Sequence, residues 1–146
     1  MDNVFFYSLV SPTPMPKVVP TILQEHILPF DWDVRKVWEL KAEVSEVPTS
    51  EFTYLLKLPL WSSVPKQGLL FDICPMDVIR NPKVSMHQAQ RLQQTDIRHP
   101  IDVLVAWNKL WILDGVHRIA KQFTLNRDFI SVRFHAESVI PIIKLG

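Results

Sequence analysis

Trp111-Ile112-Leu113-Asp114-Gly115-Val116-His117-Arg118-Ile119-Ala120-Lys121-Gln122-Phe123 is the stretch whose reading decides the fold. An apolar strand runs up to Asp114-Gly115, and an amphipathic helix leaves it. Gly115 is one of three glycines, placed where strand turns to helix and where backbone must come close to something. A helix start exposes unpaired N–H groups and a partial positive charge, which suits a phosphate. The same dipole disfavours cationic side chains in the first turn, so His117 and Arg118 point to an anion that joins them. The plainer alternative is a capped helix start. Asp114 then accepts N–H bonds from the first turn, Gly115 permits the bend, and Arg118 pairs with a surface carboxylate. Val116, Ile119, Ala120 and Phe123 form the apolar face. His117 and Lys121 share another face at i, i+4 spacing, where Lys121 either adds charge to the site or is solvated.

Outward from this stretch the elements become legible in turn. Ile101 to Ala106 is a strongly apolar run, and Asn108-Lys109 is expected to turn it back into Leu110–Leu113 as a hairpin. Downstream, Ile130, Val132 and Phe134 alternate with Ser131, Arg133 and His135, the pattern of a half-buried strand. Upstream, Ser85-x-x-Gln88 is a capping-box pattern that predicts a helix over 86–95. Pro75 opens a short helix with Asp77 in its first turn, and residues 69–73 read as a strand. Residues 61–68 read as a loop. Residues 49–61 fit either a strand or a short helical turn that Pro59 ends. Asp33 caps a predicted helix over 34–42, with Val34, Val37 and Trp38 on one face. Residues 1–30 read as an extended arm punctuated by prolines at 12, 14, 16 and 20, suited to wrapping the domain or meeting a protein partner. The expected architecture is α+β, a small mixed sheet with packed helices over 31–146.

Composition narrows the classes. A chain of 146 residues with 47% hydrophobic residues fits one domain with a real core. The net charge of +1 and the absence of a Lys/Arg block argue against nonspecific nucleic-acid binding. The single cysteine, Cys74, suits a reducing, cytoplasmic setting. No apolar run reaches membrane-spanning length.

The order strand, helix, hairpin, Asp-Gly-Val-His-Arg, helix, strand resembles the ParB/sulfiredoxin superfamily. The resemblance runs from about Leu69 to about Ala136. It is carried best by Pro100-Ile101-Asp102-Val103 and by Ile112 to Ala120. The front half, with its Trp-bearing helix and Trp61 loop, looks like that of small uncharacterised ParB-like proteins. The resemblance implies a nucleotide site for ATP, ADP or CTP. By motif position, Gly115, His117 and Arg118 would hold the phosphates, and Asp114 would be the catalytic carboxylate near Mg²⁺ or an acceptor hydroxyl. Carboxylate oxygens are hard ligands suited to that ion. Two departures follow. Val116 stands where sulfiredoxins carry their catalytic cysteine, and the chain stops at Gly146, before the helix-turn-helix module of partition proteins.

Other residues carry less. Asp77 is a second carboxylate candidate, or simply stabilises its helix start. Asp72 and Asp102 lie on strands and face either solvent or the site. His87 and His99 read as a helix-surface and a loop residue, His135 as the polar face of its strand. Trp38, Trp107 and Trp111 read as core or cross-strand packing. The expected function is nucleotide binding, with a Mg²⁺-dependent phosphotransferase or NTPase activity. The alternatives are a non-catalytic interaction module using the arm and, ranked last, a ParB-like nuclease.

Overall fold

Four strands, β1 (Val44–Pro48), β2 (Ile101–Ala106), β3 (Lys109–Asp114) and β4 (Phe129–Ala136), make one mixed sheet in the order β1-β4-β2-β3. β2 runs parallel to β4, while β1 and β3 are antiparallel to their neighbours. Among the described residues five α-helices pack around it: α1 (Val34–Glu39), α2 (Pro75–Arg80), α3 (Met86–Gln94), α4 (Val116–Thr124) and α5 (Ile140–Ile143). The chain is thus a small α+β domain, seen in a computed structural model that describes residues 19–65 and 71–146. Residues 1–18 of the expected arm, 66–68 of the expected loop, and Leu69 and Leu70 of the expected strand lie outside the described residues.

Alternate residues of a strand face opposite sides, and β2 uses both. Ile101 and Val103 point to the layer of α4, whose start lies against Ile101. Asp102 points the other way, to the layer of α1. There it accepts from Arg133, whose guanidinium also donates to the carbonyls of Val37 and Leu40. The α4 layer includes α2, α3 and a 3-10 segment over Thr53–Lys57, so the ambiguous 49–61 region is helical turn rather than strand. Leu55, Leu56 and Phe52 bury its inner face.

Local chemistry explains the element ends. The Asp33 carboxylate accepts from the Arg35 N–H, capping α1. Ser85 Oγ accepts from the Gln88 N–H at the start of α3. The Gln88 side chain does not complete a capping box; it runs into the core, to Ser62 and His117. The hairpin turn falls one residue earlier than the sequence suggests, because Trp107 and Asn108 both adopt left-handed backbone (φ 52° and 59°). That is the two-residue turn whose twist matches the strands. A bulge interrupts the hairpin at its other end: Val103 pairs with Ile112 but Asp102 pairs with Asp114. The bulged residue, Leu113, gives its carbonyl to the Trp32 indole N–H at 3.0 Å.

Gly115 is the N-cap of α4 at φ 124°. What its backbone approaches is β2: a Cβ there would sit 2.5 Å from Ile101 Cγ2 and 3.2 Å from Ile101 Cα. Both the dihedral and the clash exclude a side chain. Gly115→Ala should therefore cost at least ~2 kcal/mol, measured as a lower midpoint in urea unfolding. An unchanged midpoint would mean that the α4 start can move off the strand.

Candidate functional site

The N-terminal end of β2 and the C-terminal end of β3 bring two buried carboxylates side by side, and each has its own arginine. Asp102 is 2% exposed and Asp114 1%. Asp102 Oδ1 accepts from Arg133 Nε and lies 2.8 Å from His135 Nε2. Asp114 Oδ2 accepts from Arg118 at 2.8 Å and from the Trp38 indole at 2.7 Å. Arg118 reaches back one turn to make that bond and donates as well to the Pro100 carbonyl. Buried carboxylates keep their charge only with such partners.

Around these pairs lies a cleft with two adjoining cavities. One, of about 520 Å³, is lined by Trp38, His99, Pro100, Asp102, Arg118 and Arg133. The other, of about 360 Å³, shares Trp38, His99 and Arg118 and is walled by Arg91, Thr95 and Asp96. Trp38, expected in the core, is 46% exposed and borders both. Its indole N–H is tied to Asp114, so the ring is oriented rather than loose. Asp96 is held well below the usual carboxylate range by side-chain and backbone hydrogen bonds from Arg98, with the Arg98 charge adding to them. Arg91 differs from the other arginines here: Nη1 and Nη2 are both buried and have no hydrogen-bond partner among the described residues.

The expected site residues separate. Asp114, Gly115 and Arg118 lie together where β3 turns into α4, but it is Arg118 that lines the cleft, already engaged by Asp114, while Gly115 serves the strand contact. His117 does not point to solvent. It is fully buried, stacks on Trp61 at 4.1 Å between ring centres, and lies 2.7 Å from Gln88 Oε1. It therefore ties α4 to α3 and backs the smaller cavity from the core side. Lys121 donates to the Gln93 carbonyl and faces a different groove, about 770 Å³, between α2, α3 and α4. That groove is larger but mainly aliphatic, with none of the paired acids and arginines. Asp77 accepts from the Cys74 N–H at the start of α2, its helix-stabilising role. His135, expected on a polar strand face, is buried against Asp102. His99 is an exposed loop residue, as expected, at the mouth of the cleft.

The expected Mg²⁺ is corrected. Among the described residues no group of three or more His, Cys, Asp or Glu side chains is arranged to hold a metal ion. The carboxylate assigned to it, Asp114, is committed to Trp38 and Arg118 instead. Sequence reading also passed over Arg91 and Arg133. The signal for Arg91 was available: Met86–Gln94 carries four glutamines and one charged residue, Arg91. Set against known proteins, the chain matches no family model, no curated protein and no solved structure.

Two outcomes are expected. Asp102→Ala leaves Arg133 and His135 facing a buried gap and should cost about 3–5 kcal/mol, read by thermal unfolding; a loss under ~1 kcal/mol would mean that water replaces the carboxylate. His87 titrates below its ordinary value because burial, and after it the Arg91 charge, disfavour the imidazolium. Removing that charge in Arg91→Gln should raise the His87 midpoint in an NMR titration, with burial still keeping it low. An unmoved midpoint would place the Arg91 charge too far away to be felt.

Proposed function

We propose that the chain binds a nucleotide in the cleft between Trp38 and the arginines of β4, α4 and α3, on a ParB/sulfiredoxin-like fold. The observation that carries this reading is the meeting of a half-exposed tryptophan ring with Arg91, Arg118 and Arg133 along one cleft. A flat aromatic face beside cationic forks suits a ligand with a planar base at one end and oxyanions at the other. A combined space of this scale is in the range of small-molecule sites.

The resemblance to the ParB/sulfiredoxin superfamily supports the same reading through its two quoted segments, which are neighbours in space. Gly115 lies on Ile101, Asp114 pairs with Asp102 across the hairpin, and Arg118 bonds to the Pro100 carbonyl. In this reading the motif is chiefly a frame. Asp114 holds Trp38 and Arg118 in position, and Asp102 does the same for Arg133. Rigid groups of this kind lower the ordering cost of binding. Charge neutralisation by arginine takes the place of a metal ion, and the function is binding.

A thermal-shift series with ATP, ADP, CTP and GTP, run with a chelator present, tests it. At about a hundredfold over the dissociation constant a bound nucleotide should stabilise the protein by ~2.7 kcal/mol. Trp38→Ala should reduce that shift. No stabilisation by any of the four would overturn the reading.

A further inference from the structure

We infer that Arg91 is the anion-recognising residue of this cleft and that the group it takes is the ligand's terminal phosphate. The inference rests on the nucleotide reading above and deepens it. It starts from a charge count along the cleft wall. Asp96 is paired with Arg98 at 2.7 Å, Asp102 with Arg133 at 2.8 Å, and Asp114 with Arg118 at 2.8 Å. Each carboxylate bordering the cleft therefore already has its own arginine. Arg91 is left over, with no hydrogen-bond partner among the described residues for either terminal nitrogen.

Arg118 and Arg133 border the cleft but are poor candidates for direct contact with the phosphate, because each is already hydrogen-bonded within the protein. Arg118 is spent on Asp114 and the Pro100 carbonyl, and Arg133 on Asp102 and two carbonyls of α1. A phosphate taking either would first have to break bonds that hold a buried acid. Arg91 has no such bond to lose. Unpaired buried donors on a cation are costly, so it gains most when an oxyanion arrives.

Geometry favours a phosphate. A guanidinium offers two parallel N–H groups in a fixed fork, which suits a tetrahedral oxyanion. The cavity beside Arg91 is the smaller one, about 360 Å³, and shares Trp38, His99 and Arg118 with the larger. A phosphate at Arg91 thus leaves room for the nucleoside along the Trp38 ring. His99 stands at the rim of both cavities, its side chain 73% exposed. The base of the Arg91 helix is fixed from below. Gln88, one turn earlier, bridges the Ser62 carbonyl and His117, so α3 is tied to α4.

The test is calorimetric titration of the full chain and of Arg91→Gln and Arg91→Lys with ATP, CTP, inorganic phosphate, adenosine and cytidine. Wild-type protein is expected to bind a nucleotide, and Arg91→Gln to weaken it by about 10- to 100-fold. Inorganic phosphate should lose affinity in parallel, nucleoside binding should be unchanged, and Arg91→Lys should recover part of the loss. The unliganded Arg91→Gln protein should melt no lower than wild type, since an unpaired buried charge has gone. Nucleotide binding that is indifferent to Arg91→Gln would overturn the role of Arg91 and leave the nucleotide reading standing. An equal loss of nucleoside affinity would also overturn it, by making Arg91 a general structural residue. Failure of wild-type protein to bind any of the five would end both.

Discussion

Two carboxylates that share one face at the end of a sheet are the constraint on which the rest of the molecule is arranged. Asp102 and Asp114 sit directly opposite each other on β2 and β3, both buried. Like charges at that spacing repel, and burial keeps bulk solvent from screening them. The fold answers by bringing a cation from each side. Arg133 arrives along the neighbouring strand and fastens α1 by its C-terminal carbonyls, a favourable place for a positive charge. Arg118 arrives from α4 around the edge and fastens the loop at Pro100. Buried ion pairs of this kind are weak evidence for added stability but leave few alternative arrangements. One helix on each face of the sheet is thereby located by the same pair of acids.

A second polar connection joins the α-helical layer within itself. His117 stacks on Trp61 and meets Gln88, which in turn meets the Ser62 carbonyl, while Ser85 donates to the Ser63 carbonyl. Trp61 itself pairs with Ile73 in an isolated antiparallel bridge. The start of α4, the start of α3 and the irregular segment near 61–63 are thus one rigid unit beneath the cleft. A cavity wall built on such a unit keeps its shape without a ligand, and preorganisation of that sort reduces what binding must order.

The β2-β3-α4-β4 unit was legible because its apolar periods are long and its turn residues distinctive. The amphipathic helix after Gly115 and the caps at Asp33 and Ser85 follow from rules of spacing and side-chain reach. β1 was not legible. Val44–Pro48 is short, mostly exposed and ends in proline, so no alternation of burial marks it. It is a strand because β4 offers it an edge. Trp38 was misplaced for a related reason: its position on the helix suited the core, but a buried acid captured its N–H and held the ring outward. His117 looked like an outlier against the helix dipole and proved to be a core residue. Hydrogen bonding to a glutamine on another helix satisfies it, and that pairing leaves no trace in local sequence. Gly115 was correctly singled out as a place of close approach, yet the neighbour was a strand. The expected metal failed on the same ground, since sequence spacing does not reveal which partners a carboxylate already has.

The bulge at Leu113 has a consequence for phase. Along a strand the side chains alternate with a period of two, and in register Asp114 would lie opposite Ile101, on the side of α4. One extra residue shifts that phase by half a period and sends Asp114 to the side of Asp102 and α1. The hairpin is therefore written in two frames. Up to Ile112 it encodes apolar packing, and beyond Leu113 it encodes charge. The Trp32 indole, bonded to the Leu113 carbonyl, marks the point where one frame gives way to the other.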